Sequence, residues 1–241
     1  MVNSLEAMLN PSSVALIGAS MKPNSYGLAL LNMLTKGGFK GKIYPVNKNY
    51  VSNQKNISFY PSILDIPSKP DHTVIAVSSS RVESTLYEAI LAGSKSLTIF
   101  ADTSNQSIHN RIKSIADEAE VEICGPNSMG FHNLDKKVRI SPFQFPLNLI
   151  PGNISIILQS GSVLGALLNN DRRLRYNIIV SSGSESKTTA SEFLHWSINQ
   201  PSTKVAGLFL EAIRNPEGFI SALKLASLKK IPVVILKVGK T

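Results

Sequence analysis

Two stretches of the chain place small residues straight after an apolar run and just ahead of another. In "SVALIGASMKPNSYGLALL", Gly18, Ala19 and Ser20 follow Val14–Ile17, and Gly27 leads into the next apolar stretch. In "ISIILQSGSVLGALL", Gln159, Ser160, Gly161 and Ser162 stand in the same place between two apolar runs. Small residues let a backbone come close to a ligand, and free N–H groups at the start of the following helix favour an anion. Two plainer readings stand beside this one. Glycine at a strand-to-helix turn is common for steric reasons, and Ser160 or Ser162 could simply cap its helix.

Other residues narrow the ligand. In a dinucleotide site, an Asp or Glu near the end of the second strand accepts hydrogen bonds from the ribose hydroxyls. That place here reads "YPVNKN", with Lys48 where the acid is expected. A lysine suits a phosphate on that ribose, as in coenzyme A (3′) or NADP (2′); a solvated loop lysine is the alternative. The segment "MKPNSY" is also longer than the gap in G-x-G-x-x-G. NAD is disfavoured, and CoA and NADP remain. In "AVSSSRVES", Ser78, Ser79 and Ser80 could line a narrow channel or cap the helix that begins near Arg81. Glu211 ends the run "VAGLFLE" and Glu185 lies in "SSGSES". A carboxylate so placed is either at the mouth of a site or at an exposed strand end. His72, His109, His132 and His195 are read as structural or solvated.

These residues need strands and helices to hold them. Apolar runs at "SVALIG", "GKIYPV", "HTVIAVS", "SLTIFA" and "VEICGPN" alternate with helical stretches. In one of these, "ESTLYEAILAG", Leu86, Ile90 and Leu91 share a face and Gly93 marks the stop. Such alternation indicates a parallel sheet covered on both faces. Residues 134–152 carry three prolines and no helical period, and read as an interdomain connection. Alternation then resumes with four more strands and a helix from about Val163. The chain divides into 1–133, the linker 134–152, and 153–241, a second α/β unit expected to be incomplete at its C-terminus.

Composition excludes some classes. One cysteine, Cys124, rules out an intrachain disulfide framework and a Cys-rich zinc site, and its place before "GPN" reads as core packing. No apolar run approaches the roughly 20 residues of a spanning helix. The first residues lack a basic segment and long apolar core, so a cytoplasmic protein is expected. The net charge of +9 fits a solvated surface or a phosphate-rich small ligand better than nucleic acid, because the basic residues are scattered. Asp171–Arg175, "DRRLR", is their densest cluster.

At "GPNSMGFHN" (Gly125–Asn133) the chain resembles the N-terminal part of the NDP-forming acyl-CoA synthetases. It is similar, more distantly, to the α-subunit of succinyl-CoA synthetase. "NPSSVALIGAS", "GKIYPVNKN", "LQSGSVLGALL", "VSSGSES", "LFLEAIRNPEGF" and "IPVVILKVGKT" carry the resemblance in the family's order over nearly the whole chain. It implies a Rossmann-like CoA-binding domain followed by a flavodoxin-like, succinyl-CoA synthetase-like domain. It also implies a reaction: carboxylic acid, CoA and a nucleoside triphosphate give acyl-CoA, nucleoside diphosphate and phosphate, through acyl phosphate and phosphohistidine. The implied CoA site is Gly18, Ala19, Ser20, Ser25, Tyr26, Lys48, Val77, Ser78, Ser79, Ser80, Asp102, Pro126 and Asn127. Gln159, Ser160, Gly161 and Ser162 would cradle the phosphate, and Glu211, with Glu185 as second candidate, would orient the histidine. No metal ligand is implied within the chain. ATP or ADP and Mg would enter through an ATP-grasp domain or subunit outside it, and an oligomer without nucleic-acid or membrane partners is expected.

The sequence also departs from the family. The phosphorylated histidine would fall beyond residue 241, so this stretch alone is expected to be inactive. Ser184 replaces a usual asparagine, Ser128 a common cysteine, and "FADTSNQS" a glycine- and glutamate-bearing loop. The alternative reading is a catalytically silent module that senses CoA or acyl-CoA, as in protein acyltransferases with this domain pair.

Overall fold

The computed structural model describes residues 2–50, 57–103, 105–169 and 174–239. Asp171, Arg172 and Arg173 of the basic cluster lie outside them. Five apolar segments form one parallel sheet: β1 (Ser13–Ile17), β2 (Lys42–Val46), β3 (His72–Ile75), β4 (Ser96–Ile99) and β5 (Glu122–Cys124), in the order β2-β1-β3-β4-β5. β1, β3, β4 and β5 are buried along their length, as a sheet covered on both faces requires. The covering helices are α1 (Val2–Leu9), α2 (Tyr26–Lys36), α3 (Val82–Leu91) and α4 (Gln106–Glu118). The sequence reading did not anticipate α1. On α3, Leu86 is buried as expected, but Leu91 is 75% exposed. The inward face is instead Val82, Thr85, Leu86 and Ala89, linked by three- and four-residue steps, and Leu91, five residues past Leu86, falls outside that stripe.

The second sheet is mixed, in the order β11-β10-β8-β9-β6-β7. Its parallel part is β8 (Ile154–Leu158), β9 (Tyr176–Ser181), β10 (Val205–Leu210) and β11 (Val233–Lys237). β6 (Gly130–Asn133) and β7 (Val138–Ile140) add an antiparallel hairpin on β9. The segment read as an irregular connection therefore begins with a turn and a strand of the second sheet. Three residues are too few for a period to register, which is why β7 escaped the pattern. Helices α5 (Gly161–Asn169), α6 (Ala190–Ile198) and α7 (Pro216–Leu228) complete the unit; α5 starts two residues earlier than expected.

One buried cluster spans both sheets, joining Leu5, Met8 and Leu9 of α1 to Val14, Phe131, Ile157 and Phe193. Trp196 of α6 donates its indole N–H to Glu6 of α1 at 2.8 Å, which ties the N-terminal helix to the second unit. Cys124 is fully buried, as expected, and burial pushes its thiol up to about 12.

Two of the histidines are core residues. His72 bonds Ser96 at 2.9 Å and Thr98 at 3.0 Å. Neither nitrogen of His132 has a hydrogen-bond partner among the described residues; its ring sits edge-on to Phe145, with centroids 5.5 Å apart. Burial first, then the Arg139 charge, lowers His132 from 6.5 to about 3. Below the unfolded value the unfolded chain takes up a proton that the folded one refuses, so stability falls as pH drops from 6.5 towards 3. His132→Leu is expected to remove about 2 kcal/mol of the stability lost between pH 7 and pH 5. Urea denaturation at the two pH values checks this, and equal losses in both proteins would remove His132 from the acid response.

Candidate functional site

In the first sheet the chain runs from β1 outward to β2 and returns to the other side of β1 as β3, so the switch point lies beyond the ends of β1 and β3. Open α/β sheets bind ligands at such a point, because the loops there diverge and leave a crevice. Gly18, Ala19 and Ser20 form the turn on it. Gly18 has φ +92, and a Cβ there would overlap the Ala76 carbonyl at the end of β3. The Gly18 N–H donates to the Val46 carbonyl at 3.0 Å, and the Asn47 side-chain amide to the Ala19 carbonyl at 2.7 Å. The β2 tip thus clamps the turn. Ser25 is the N-cap of α2: its hydroxyl accepts from the Leu28 N–H at 3.2 Å. Tyr26, the first helical residue, is exposed and meets Phe143 edge-on at 5.5 Å.

Lys48 sits exposed on the turn after β2, and no hydrogen bond or ion pair engages it among the described residues. Ser78, Ser79 and Ser80 are exposed on the loop after β3, and Val77 packs beneath them. The capping expectation fails here. α3 has Arg81 at its N-cap without a side-chain bond, because a 3₁₀ turn at Ser79–Arg81 intervenes and Ser78 and Ser80 face each other at 3.2 Å. Asn47 and Tyr50 were not singled out from the sequence. Tyr50 stacks on Phe59 at 4.8 Å, and its hydroxyl accepts from the Met21 N–H at 3.2 Å. That hydroxyl also lies 3.4 Å from Ser20. Hydrogen bonds at the phenol lower the Tyr50 pKa, Ser20 foremost and then the Met21 amide.

The second sheet repeats the arrangement. β8 lies between β9 and β10, so its switch point falls between the ends of β8 and β10. Gln159 bridges that gap: its Oε1 accepts from the N–H groups of Glu211 (2.6 Å) and Ala212 (2.9 Å), and its Nε2 donates to the Ala212 carbonyl at 2.8 Å. The Ser160 hydroxyl lies 3.0 Å from Ser162 and 3.5 Å from the Val163 N–H, a marginal cap for α5. Glu211 is exposed at the end of β10. Glu185 is the opposite. Its side chain is 0% exposed, and its Oε1 accepts from the Ser182 hydroxyl at 2.7 Å and the Ala190 N–H at 3.1 Å. Its Oε2 has no hydrogen-bond partner among the described residues. Burial raises the Glu185 pKa, against the opposing pull of Ser182, Gln159, the Arg214 charge and the Ala190 amide.

The turn at 125–130 joins the two crevices. The Asn127 N–H donates to the Ala101 carbonyl at 3.0 Å, beside exposed Asp102. The Pro126 carbonyl accepts from the Ser184 N–H at 2.8 Å, and the Gly125 carbonyl from the Ser186 N–H at 3.1 Å. The Ser128 hydroxyl donates to the Ser181 carbonyl at 2.6 Å. Pro126 is buried and Asn127 exposed, so the turn presents its asparagine. The loop after β4, the 125–130 turn and the loop after β9 are thereby stacked. His109 of α4, read from the sequence as structural or solvated, reaches Ser186 at 3.0 Å, and Arg214, which the sequence did not single out, approaches Glu185. A separate cavity of ≈ 420 Å³, lined by Leu5, Glu6, Glu192 and Trp196 among others, shares no lining residue with either small-residue turn. Among the described residues no group of His, Cys, Asp and Glu could hold a metal ion, and no helix is long and apolar enough to cross a membrane.

Comparison with known proteins places the two units. The CoA binding domain family matches residues 12–133, and the succinyl-CoA ligase like flavodoxin domain family matches residues 151–241. The chain is 32% identical to the ADP-forming acetate–CoA ligase II of Archaeoglobus fulgidus over 100% of its own length and 36% of that protein. It is 29% identical to the α-subunit of the ADP-forming acetate–CoA ligase I of Pyrococcus furiosus, over 99% of this chain and 53% of that one. Among solved structures it is similar to acetyl-coenzyme A synthetase 1 of Ca. Korarchaeum cryptofilum in complex with phosphate and ADP. That likeness has a TM-score of 0.90 and 28% identity, covering 99% of this chain and 52% of that one. The chain thus spans about a third to a half of the length of these relatives. More than half of its residues match one family over an unbroken stretch that holds the first crevice, and the chain belongs to the CoA binding domain family.

Proposed function

We propose that this chain is the CoA-binding and partial ligase region of an NDP-forming acyl-CoA synthetase, which joins a carboxylic acid to CoA at the expense of a nucleoside triphosphate. The observation that carries this reading is the pair of switch-point crevices bridged by the 125–130 turn. One crevice offers a glycine turn and a free lysine, the other a turn of small residues, and a thioester chemistry needs both: a place for CoA and a place for a phosphoryl group.

In this reading the Gly18–Ser20 turn and the start of α2 receive the pyrophosphate of CoA, with Ser25 and Tyr26 at the rim. Lys48 takes the 3′-phosphate. Val77–Ser80, Asp102, Pro126 and Asn127 line the way from the first crevice to the second. The Gln159–Ser162 turn cradles the phosphoryl group, and Glu211 orients a histidine supplied from outside residues 1–241. ATP or ADP with Mg, the ATP-grasp partner and a higher assembly belong to this proposal too; the names of the relatives support the nucleotide and the subunit arrangement.

The test is isothermal titration of the chain with CoA, dephospho-CoA, NAD and NADP. CoA is expected to bind at micromolar to millimolar strength, an order of magnitude usual for substrates, with dephospho-CoA weaker and NAD silent. Binding of NADP in preference to CoA would overturn the reading.

A further inference from the structure

Glu185 and Arg214 stand in the second crevice in an arrangement that a merely structural ion pair does not explain. Glu185 is enclosed, yet one of its oxygens accepts no hydrogen bond among the described residues. The nearest cation, the Arg214 Nε, is 3.7 Å from that oxygen, too far for a hydrogen bond. The same Nε–H donates to the Ser184 carbonyl at 3.1 Å. Both contacts use one edge of the guanidinium. Neither Nη makes a hydrogen bond among the described residues, and the side chain is 43% exposed. A buried carboxylate with an idle oxygen is costly, and an exposed arginine gains little from an imperfect pair. A guanidinium held by its Nε edge, with its Nη fork free, matches the paired oxygens of a phosphate or carboxylate.

The neighbourhood suits an anion. Gln159 holds Glu211 and Ala212 in place, and Arg214 follows two residues later on the same loop. The β8, β9 and β10 ends are in register, with Leu158 opposite both Ser181 and Phe209, so the loops carrying Ser160–Ser162, Glu185 and Arg214 leave one edge of the sheet side by side.

We propose that Arg214 docks an oxyanion at this crevice through its Nη fork, with Glu185 and the Ser184 carbonyl as the anchors that fix the guanidinium plane. The inference rests on the second crevice being a phosphoryl or acyl site. Arg214 is the ligand-contacting group, and Glu185 is a positioning residue.

Inorganic phosphate and acetate, titrated separately into the chain with CoA as a control, provide the test. Arg214→Gln is expected to weaken phosphate binding about tenfold, with CoA affinity held within about twofold. Arg214→Lys, which keeps the charge and loses the fork, is expected to recover only part of that loss. Glu185→Gln is expected to cost about threefold in the native background and nothing in the Arg214→Gln background, the non-additivity of a residue that acts through another. Should Glu185→Gln not fold, the Arg214 variants decide the matter alone. Acetate losing affinity in parallel with phosphate marks the substrate carboxylate as a source of the oxyanion; a response of phosphate alone marks the phosphoryl group. Phosphate affinity unchanged in Arg214→Gln, or no phosphate binding by the native chain, overturns the assignment. Arg214-dependent phosphate binding in a chain that fails to bind CoA would leave this inference standing and remove the coenzyme assignment.

Discussion

Gly27→Ala is expected to destabilise the first unit by about 2 kcal/mol and to weaken CoA binding more than about tenfold, although alanine is the better helix former. The second residue of α2 rests directly on the ligand turn. A Cβ there would overlap the Gly18 carbonyl oxygen and lie 2.8 Å from the Ser20 nitrogen. Both are backbone atoms of a turn that is held on either side, by Asn47 at the Ala19 carbonyl and by the Val46 carbonyl at the Gly18 N–H, so neither can give way cheaply. Helix propensity returns at most about 1 kcal/mol, less than the overlap costs. Gly165 in α5 is the control, since a Cβ added there meets nothing within 4 Å. Gly165→Ala is expected to stabilise the chain by up to about 1 kcal/mol. Urea unfolding of both variants reads the contrast. A Gly27→Ala protein as stable as Gly165→Ala would mean that the turn and the helix start are not packed as described.

Reversing the charge at Lys48 is expected to produce the largest change in affinity. Lys48→Glu should weaken CoA by about thirtyfold and dephospho-CoA by no more than about threefold, because only the former places a phosphate against the β2 tip. The lysine is exposed and makes no ion pair among the described residues, so its removal leaves the fold untouched. The effect should shrink as salt rises from 0.05 to 0.5 M, since an exposed pair is screened within a Debye length of roughly 10 Å or less. Equal losses for both ligands would reject the 3′-phosphate assignment and return Lys48 to the solvated surface.

Periodicity and turn chemistry were enough to read the α/β alternation, the nine parallel strands and the two small-residue turns, because each is written in consecutive residues. The positions of Lys48 and the Gln159–Ser162 turn could be located for the same reason: they lie at the ends of strands the pattern finds. What the linear pattern could not carry was pairing between distant segments. That residues 130–133 would leave the first unit and pair with β9, carrying β7 with them, depends on hydrogen bonds to positions more than forty residues away. Serines 78–80 read as caps along the chain, but a 3₁₀ turn at Ser79–Arg81 precedes α3 and none of them caps it.

The two glutamates show the same division. Glu211 and Glu185 are alike in sequence, each an acid just past an apolar strand. Their difference is tertiary: α6 closes over Glu185 and donates its first N–H to it, whereas Glu211 stays exposed. Arg214, His109, Asn47 and Tyr50 carry no local signature, since any exposed arginine or tyrosine reads the same along the chain. Sequence alone determined the class of fold and where along the chain its small-residue turns fall. Which polar groups face those turns, and which are buried with an oxygen to spare, was decided only when strands distant in the chain were laid side by side. Burial and hydrogen-bond satisfaction are properties of that assembly, not of any short stretch.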